Sequence, residues 1–249
     1  MQNAIESALR KVQAEASQFS AAGRTDTGVH ATSQVISFVT PYERSPDAWR
    51  KGLNSHLPVS VRIQWVRRVS DEFHARFAAT GRRYLYVFQE GEADPLTLNR
   101  VTPTGVLDDA AMHAAAQCLV GEHDFTALRA AACQSPTPFR RVDHAMIRRY
   151  GPFVVIDVAA NAFLLRMMRN IAGALSRVGR GEWRALDLQS ALVGRDRNLL
   201  GRTAPPDGLY LVDVRYPGHF LVDPEDQASG WPPGRLPPML QHRYSLDRL

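Results

Sequence analysis

Hydrophobic and polar positions change their period several times along this chain, and each change marks an element. Ile5, Ala8, Leu9, Val12 and Ala16 recur at helical spacing, which predicts an amphipathic helix at the start. Alternating, β-branched runs at 34–39, 61–66 and 83–88 predict half-buried strands. A short helix entered through Ser45-Pro46-Asp47 fits between the first two. The stretch 90–105 is polar and turn-rich, with Pro95 and Pro103, and reads as a domain junction. A helix over about 108–120 follows. Next comes a hairpin of 141–150 and 153–159, turning at Gly151-Pro152. A long apolar helix over about 162–178, a shorter one over 183–193 and a last strand at 209–214 complete the pattern. Beyond Pro217 the chain is rich in proline, glycine and charge, which predicts a poorly ordered tail at 217–249. This order implies an α+β protein in two similar halves, 1–95 and 96–216. Each half is expected to be a mostly antiparallel sheet with helices on one face.

A chain of 249 residues can bury a real core and is near the size at which one core divides into two. Hydrophobic content of 45% and charged content of 22% are those of a globular protein. No run of about 18 apolar residues offers a transmembrane helix, and the N-terminus lacks the pattern of a signal peptide. Cys118 and Cys133 have no metal-ligand spacing and are too few for a disulfide framework, so they read as small buried hydrophobes in a reduced, cytoplasmic protein. Charge changes the picture more. The formal net charge is +5, and lysine occurs only at Lys11 and Lys51, so the basic residues are almost all arginine. They cluster at Arg67-Arg68, Arg82-Arg83, Arg140-Arg141, Arg148-Arg149 and Arg166/Arg169, the footprint expected of a protein that meets a polyanion.

The most informative stretch is Ala22-Gly23-Arg24-Thr25-Asp26-Thr27-Gly28-Val29-His30-Ala31. Short apolar runs flank it, which places Asp26 on a tight loop. Gly28 permits positive φ or close approach to a ligand, and Thr25 and Thr27 can brace the turn through their hydroxyls. A carboxylate held this way, with a guanidinium nearby, suits an acid that must stay ionised while it attacks.

The stretch Gly23–His30 closely resembles the active-site motif of the tRNA pseudouridine synthase A family. Asp71-Glu72-Phe73-His74-Ala75-Arg76-Phe77, Arg82-Arg83-Tyr84-Leu85-Tyr86, Gly121-Glu122-His123-Asp124-Phe125-Thr126 and Asn161–Ile171 resemble its other signatures, in order, over about residues 1–216. The resemblance implies the pseudouridine synthase fold, with two halves joined around a central cleft and helices on the outer faces. The half at 1–95 would carry the catalytic loop and the half at 96–216 would complete the cleft. It also implies a uridine isomerase acting at positions 38, 39 and 40 of the tRNA anticodon arm, a homodimer, and no metal or organic cofactor. Asp26 matches the catalytic aspartate, drawn either attacking the ribose C1′ or removing its 2′ proton. Tyr84 matches the tyrosine that stacks on the target base, Arg169 an arginine that pairs with the aspartate, and Arg24 a residue linked to base flipping and the RNA backbone. His30, His74 and His123 read as hydrogen-bonding scaffold, and the face Phe163, Leu164, Met167, Met168, Ile171 and Leu175 as core.

The chain departs from the family pattern in three places. The family's opening strand, Tyr-Asp-Gly turn and Gly-Trp-Gln segment precede the helix that here starts at Met1, so the first strand is expected to be missing, through a gene start placed too late. Thr27 replaces an alanine, and Leu165-Arg166 replaces a polar, often histidine-containing pair. Two rival readings stand beside this one. Asp26-Thr27-Gly28 also spells the aspartic-protease signature, but no second such acid exists to share a proton. The other rival is a non-catalytic tRNA-binding remnant.

Overall fold

In a computed structural model, residues 1–13 and 18–241 are described. The elements are α1 (Gln2–Gln13), β1 (Phe19–Ala21), β2 (His30–Ala31), β3 (Ile36–Phe38), α2 (Pro46–His56), β4 (Gly81–Glu90), β5 (Thr102–Thr104), α3 (Asp109–Ala116), β6 (Gly121–Asp124), β7 (Phe139–Tyr150), β8 (Phe153–Ala160), α4 (Met167–Gly179), α5 (Ala185–Val193), β9 (Leu209–Arg215) and α6 (Pro224–Ser229). The protein is mixed α+β with mostly antiparallel strands. Its described residues divide into two compact units: one of 1–13, 18–23, 35–79 and 216–232, the other of 24–34, 80–215 and 233–241. Both units are assembled from segments distant in sequence. Ala16 of the predicted first helix lies outside the described residues.

In the first unit α1 packs Ile5, Ala8 and Leu9 against Leu53 and Leu57 of α2, with Phe19, Ile36 and Phe38 of the β1–β3 pair alongside. The expected strand at 61–66 does not form a ladder. Its backbone is instead satisfied by a side chain: Asn54 accepts from Ile63 N–H at 2.8 Å and donates to Ile63 O at 2.9 Å. The expected disordered tail is also corrected over 217–241. Phe220 and Trp231 pack on Phe73, Trp231 on Tyr216, and Tyr216 Oη donates to Ala75 O at 2.7 Å. Arg67 pairs with the buried Asp226 of α6. Composition favoured disorder there, but four aromatic rings gather enough apolar surface to order the segment. Residues 242–249 lie outside the described part.

The second unit is built on a sheet of order β2-β9-β4-β8-β7-β6, with β5 beside β4. β2 runs parallel to β9 and β5 parallel to β4, and the other pairs are antiparallel. Alternation along β4 sends Tyr86 and Phe88 to one face and Leu85 and Val87 to the other, as a two-residue period requires. The first face is covered by α3, α4 and α5 through Met112, Ile171, Leu175 and Leu188. The second is covered by Val101, Leu236 and Leu240. Asp157 interrupts the apolar run of β8 and is 1% exposed. It is tolerated because Arg83 grips both its oxygens, at 2.8 and 2.6 Å, and His144 Nε2 donates to it at 3.0 Å.

The helix predicted from 162 begins only at Met167. Asn161 Oδ1 accepts from Arg141 N–H and Ala162 N–H, Leu165 N–H goes to Cys133 Sγ, and Leu165 O accepts from Ala130 N–H. With the Leu165 N–H and carbonyl engaged elsewhere, a first turn from 162 does not close, and Arg166 takes a left-handed φ of 59° before the helix starts. Cys133 and Cys118 are free and partly buried, packed against the core under the helices. Further along α4, Gly173 lets the 201–206 segment press onto the helix: a Cβ there would collide with the Arg202 carbonyl oxygen. Gly173→Ala should therefore destabilise the protein by about 1–3 kcal/mol, although alanine in a free helix would add up to about 1 kcal/mol. Denaturant unfolding of the two proteins reads the sign directly.

Candidate active site

The loop carrying Asp26 is anchored at its C-terminal end by β2, where His30 and Ala31 pair with Tyr210 and Leu211. The His30 ring stacks on Tyr210 at 4.8 Å and its Nε2 donates to Asn99 O at 2.8 Å. Between anchor and acid the chain reverses in a turn closed by Val29 N–H to Asp26 O at 3.1 Å. Gly28 occupies the third position of that turn with φ 85°, a value turns of this kind assign to glycine. There is also no room for a side chain, since a Cβ would lie 2.8 Å from Pro206 Cγ.

This geometry presents the Asp26 carboxylate to the first turn of α4. Arg169 NH1 donates to Asp26 Oδ2 at 2.9 Å. The same guanidinium donates through Nε to Ala204 O at 2.8 Å, while Ala204 N–H returns to Arg169 O at 3.1 Å. Arg169 is thus fixed on two sides, and its side chain is only 14% exposed against 32% for Asp26. Arg166, one turn earlier, places Nε 3.8 Å from the same Oδ2 and is exposed. Asp26 Oδ1 accepts no hydrogen bond among the described residues. The acid therefore has one oxygen restrained by cations and one available.

Tyr84 lies in β4 between β8 and β9, beside a register shift at Arg83/Tyr84. It is half-buried, with its ring edge-on to Phe163 at 4.8 Å. Burial pushes its phenol up to about 12, while the Arg82 charge works against the rise and the Asp26 charge adds to it. The hydroxyl consequently stays protonated at neutral pH and cannot serve as a base there. Arg24 is exposed and makes no hydrogen bond or ion pair among the described residues. Of the residues singled out from sequence, Asp26 and Arg169 meet directly, Tyr84 lies within reach of the Asp26 field, and Arg24 bonds to neither.

His74 Nδ1 accepts from the N–H groups of Arg76 and Phe77, so Nε2 carries the proton and donates to Ser20 Oγ at 2.9 Å. His123 Nε2 donates to Val120 O at 2.8 Å. With His30 these rings serve as scaffold. Among the described residues no group of His, Cys, Asp and Glu is arranged to hold a metal ion. Sequence reasoning missed Arg166 as a second neighbour of Asp26 and the 201–206 segment as its rear support. The spacing of Arg166 and Arg169, one helical turn apart, was the available signal.

The pattern of the family described as tRNA pseudouridine synthase matches residues 1–78 and 115–217. A protein of Aeromonas hydrophila named tRNA pseudouridine synthase A is 45% identical over 247 residues, 95% of this chain and 89% of that protein. Proteins of the same name from Yersinia pestis and Histophilus somni are 47% and 46% identical, over 89% and 88% of this chain and 85% and 82% of theirs. This chain belongs to the tRNA pseudouridine synthase family.

The raised Tyr84 phenol generates a pH test. Its neutral form is favoured in the folded state, so the stability it lends is complete below its ordinary value of 10 and is lost between pH 10 and about 12. Tyr84→Phe should lose stability less steeply than the parent over that window, measured as denaturation midpoint against pH.

Proposed function

We propose that this protein is an isomerase that converts uridine to pseudouridine at positions 38, 39 and 40 of the anticodon stem and loop of tRNA, with Asp26 as the catalytic residue. The single observation that carries the reading is the asymmetry of the Asp26 carboxylate: Oδ2 is held by Arg169 and Oδ1 is unbonded. Family membership and the names of the relatives support the substrate class.

The reaction breaks the bond from C1′ to N1, turns the uracil and joins C1′ to C5. C5 loses a proton and N1 gains one, so nothing is oxidised or reduced. Both routes drawn for the aspartate, attack on C1′ and removal of the 2′ proton, need an anionic oxygen close to the sugar. Arg169, bonded to Oδ2 and fixed from behind by Ala204 O, holds the carboxylate in place for either route. A uridine in a stem must also leave its stack, at a cost of a few kcal/mol. Stacking on Tyr84, worth roughly 1–3 kcal/mol, offsets much of that. Arg24, exposed and unengaged among the described residues, is suited to the RNA backbone. A non-catalytic tRNA-binding remnant is the weaker reading, because the acid and its cation are both present and the relatives bear the name of a synthase.

The test is release of tritium from tRNA labelled at C5 of uridine, in buffer containing a metal chelator. The parent should release label, and Asp26→Asn should fall by a thousandfold or more, on the order of 4 kcal/mol in barrier, with tRNA affinity within a few-fold of the parent. A parent that releases nothing, or an active Asp26→Asn, overturns the proposal. We further propose a cytoplasmic homodimer. Light scattering should give twice the chain mass of 27.7 kDa, and a single-chain mass rejects the dimer.

A further inference from the structure

Beside the Asp26–Arg169 pair an open pocket of about 400 Å³ is lined by Arg166, Arg197, Asn198, Gly201 and Thr203, with Ala130 and Ala131 at its wall. No carboxylate and no aromatic ring lines it, so it suits neither a cation nor a stacked base. Its two cations differ in how they are held. Arg197 is half-buried and donates to Thr203 Oγ1 at 3.0 Å, Asn170 Oδ1 at 3.2 Å and Gly201 O at 3.1 Å. All three acceptors are neutral, and among the described residues no acid pairs with this guanidinium. Its charge is therefore fixed in place and not neutralised. Arg166 is the opposite case. It is exposed, touches Asp26 Oδ2 only at 3.8 Å, beyond hydrogen-bond length, and shares that oxygen with the closer Arg169.

We propose that this pocket is a phosphodiester subsite, in which Arg197 forms the fixed floor and Arg166 is the mobile guanidinium that leaves Asp26 for a phosphate of the bound tRNA. The inference rests on the proposed function for the identity of the substrate. Because Arg166 reaches both the acid and the pocket, the phosphate it takes is one next to the reacting nucleotide. A planar guanidinium can offer two parallel N–H groups to phosphate oxygens, a stronger arrangement than its long contact with one shared carboxylate oxygen. Moving Arg166 onto the phosphate leaves Asp26 to Arg169 alone when substrate is in place. Arg166 acts on substrate position, and it is here that the sequence departs from the pair expected of the family.

The experiment compares the parent with Arg166→Asn and Arg166→Lys in tRNA binding at several salt concentrations and in steady-state isomerisation. Asparagine is among the residues that tolerate the left-handed φ found at 166, so the variant should fold, with thermal melting as the control. Arg166→Asn should lower the slope of log affinity against log salt by about one. It should raise KM about tenfold and change kcat by less than about twofold. Arg166→Lys, retaining the charge, should recover most of the affinity and the slope. An unchanged slope with unchanged KM overturns the subsite. So does a loss confined to kcat with a shifted acid limb of the pH profile, which would make Arg166 a support for Asp26. Should the parent release no label, the proposed function fails, yet the binding comparison still decides whether a phosphate is lost.

Discussion

The contact between Asp26 Oδ2 and Arg169 NH1 is the constraint on which the rest of the second unit's site depends. It ties together segments far apart in sequence: the glycine turn at 26–29, the first turn of α4, and the 201–206 segment whose Ala204 carbonyl fixes the guanidinium from behind. Each is placed by something simple. β2 pins the turn against β9, the late start of α4 puts Arg169 in its first turn, and Gly173 lets Arg202 and its neighbours lie on the helix. Remove any of these and the acid still exists, but its oxygen is no longer aimed. Reaction rates are sensitive to displacements of about 1 Å, so the fold's contribution is positional as much as electrostatic.

Much of this was legible in the sequence, because local rules and tertiary structure agree along most of the chain. The hairpin of β7 and β8 shows in its alternation and in Gly151-Pro152, and Gly28 marks a turn that the structure needs with positive φ. Where reading failed, a side chain or a distant segment had taken over the work of a regular element. Asn54 satisfies Ile63 in place of a neighbouring strand, and Cys133 and Ala130 occupy the Leu165 N–H and carbonyl that the extended helix would have used. The segment after Pro217 looked disordered by composition, which averages over positions. Phe220 and Trp231 order it because they meet Phe73 and Tyr216, contacts set by residues about 150 positions away or next to the segment itself. Asp157 illustrates the same limit: only the cross-strand register explains a buried acid between Arg83 and His144.

The electrostatics of the site are graded, and the grading matters more than the count of charges. In the role proposed for Asp26, a cation bonded to both oxygens would tie up the atom that reacts. Arg169 bonds one oxygen only. Arg166 adds charge at 3.8 Å from an exposed position, where solvent screens it strongly and exposed ion pairs contribute little. A contact that weak costs little to give up. The buried pair of Arg83 and Asp157, held at 2.8 and 2.6 Å within the sheet, cannot exchange partners without leaving a charge stranded. The protein thus keeps its strong ion pairing for the scaffold, a single firm contact for the acid, and a loosely held arginine at the edge of the pocket beside it.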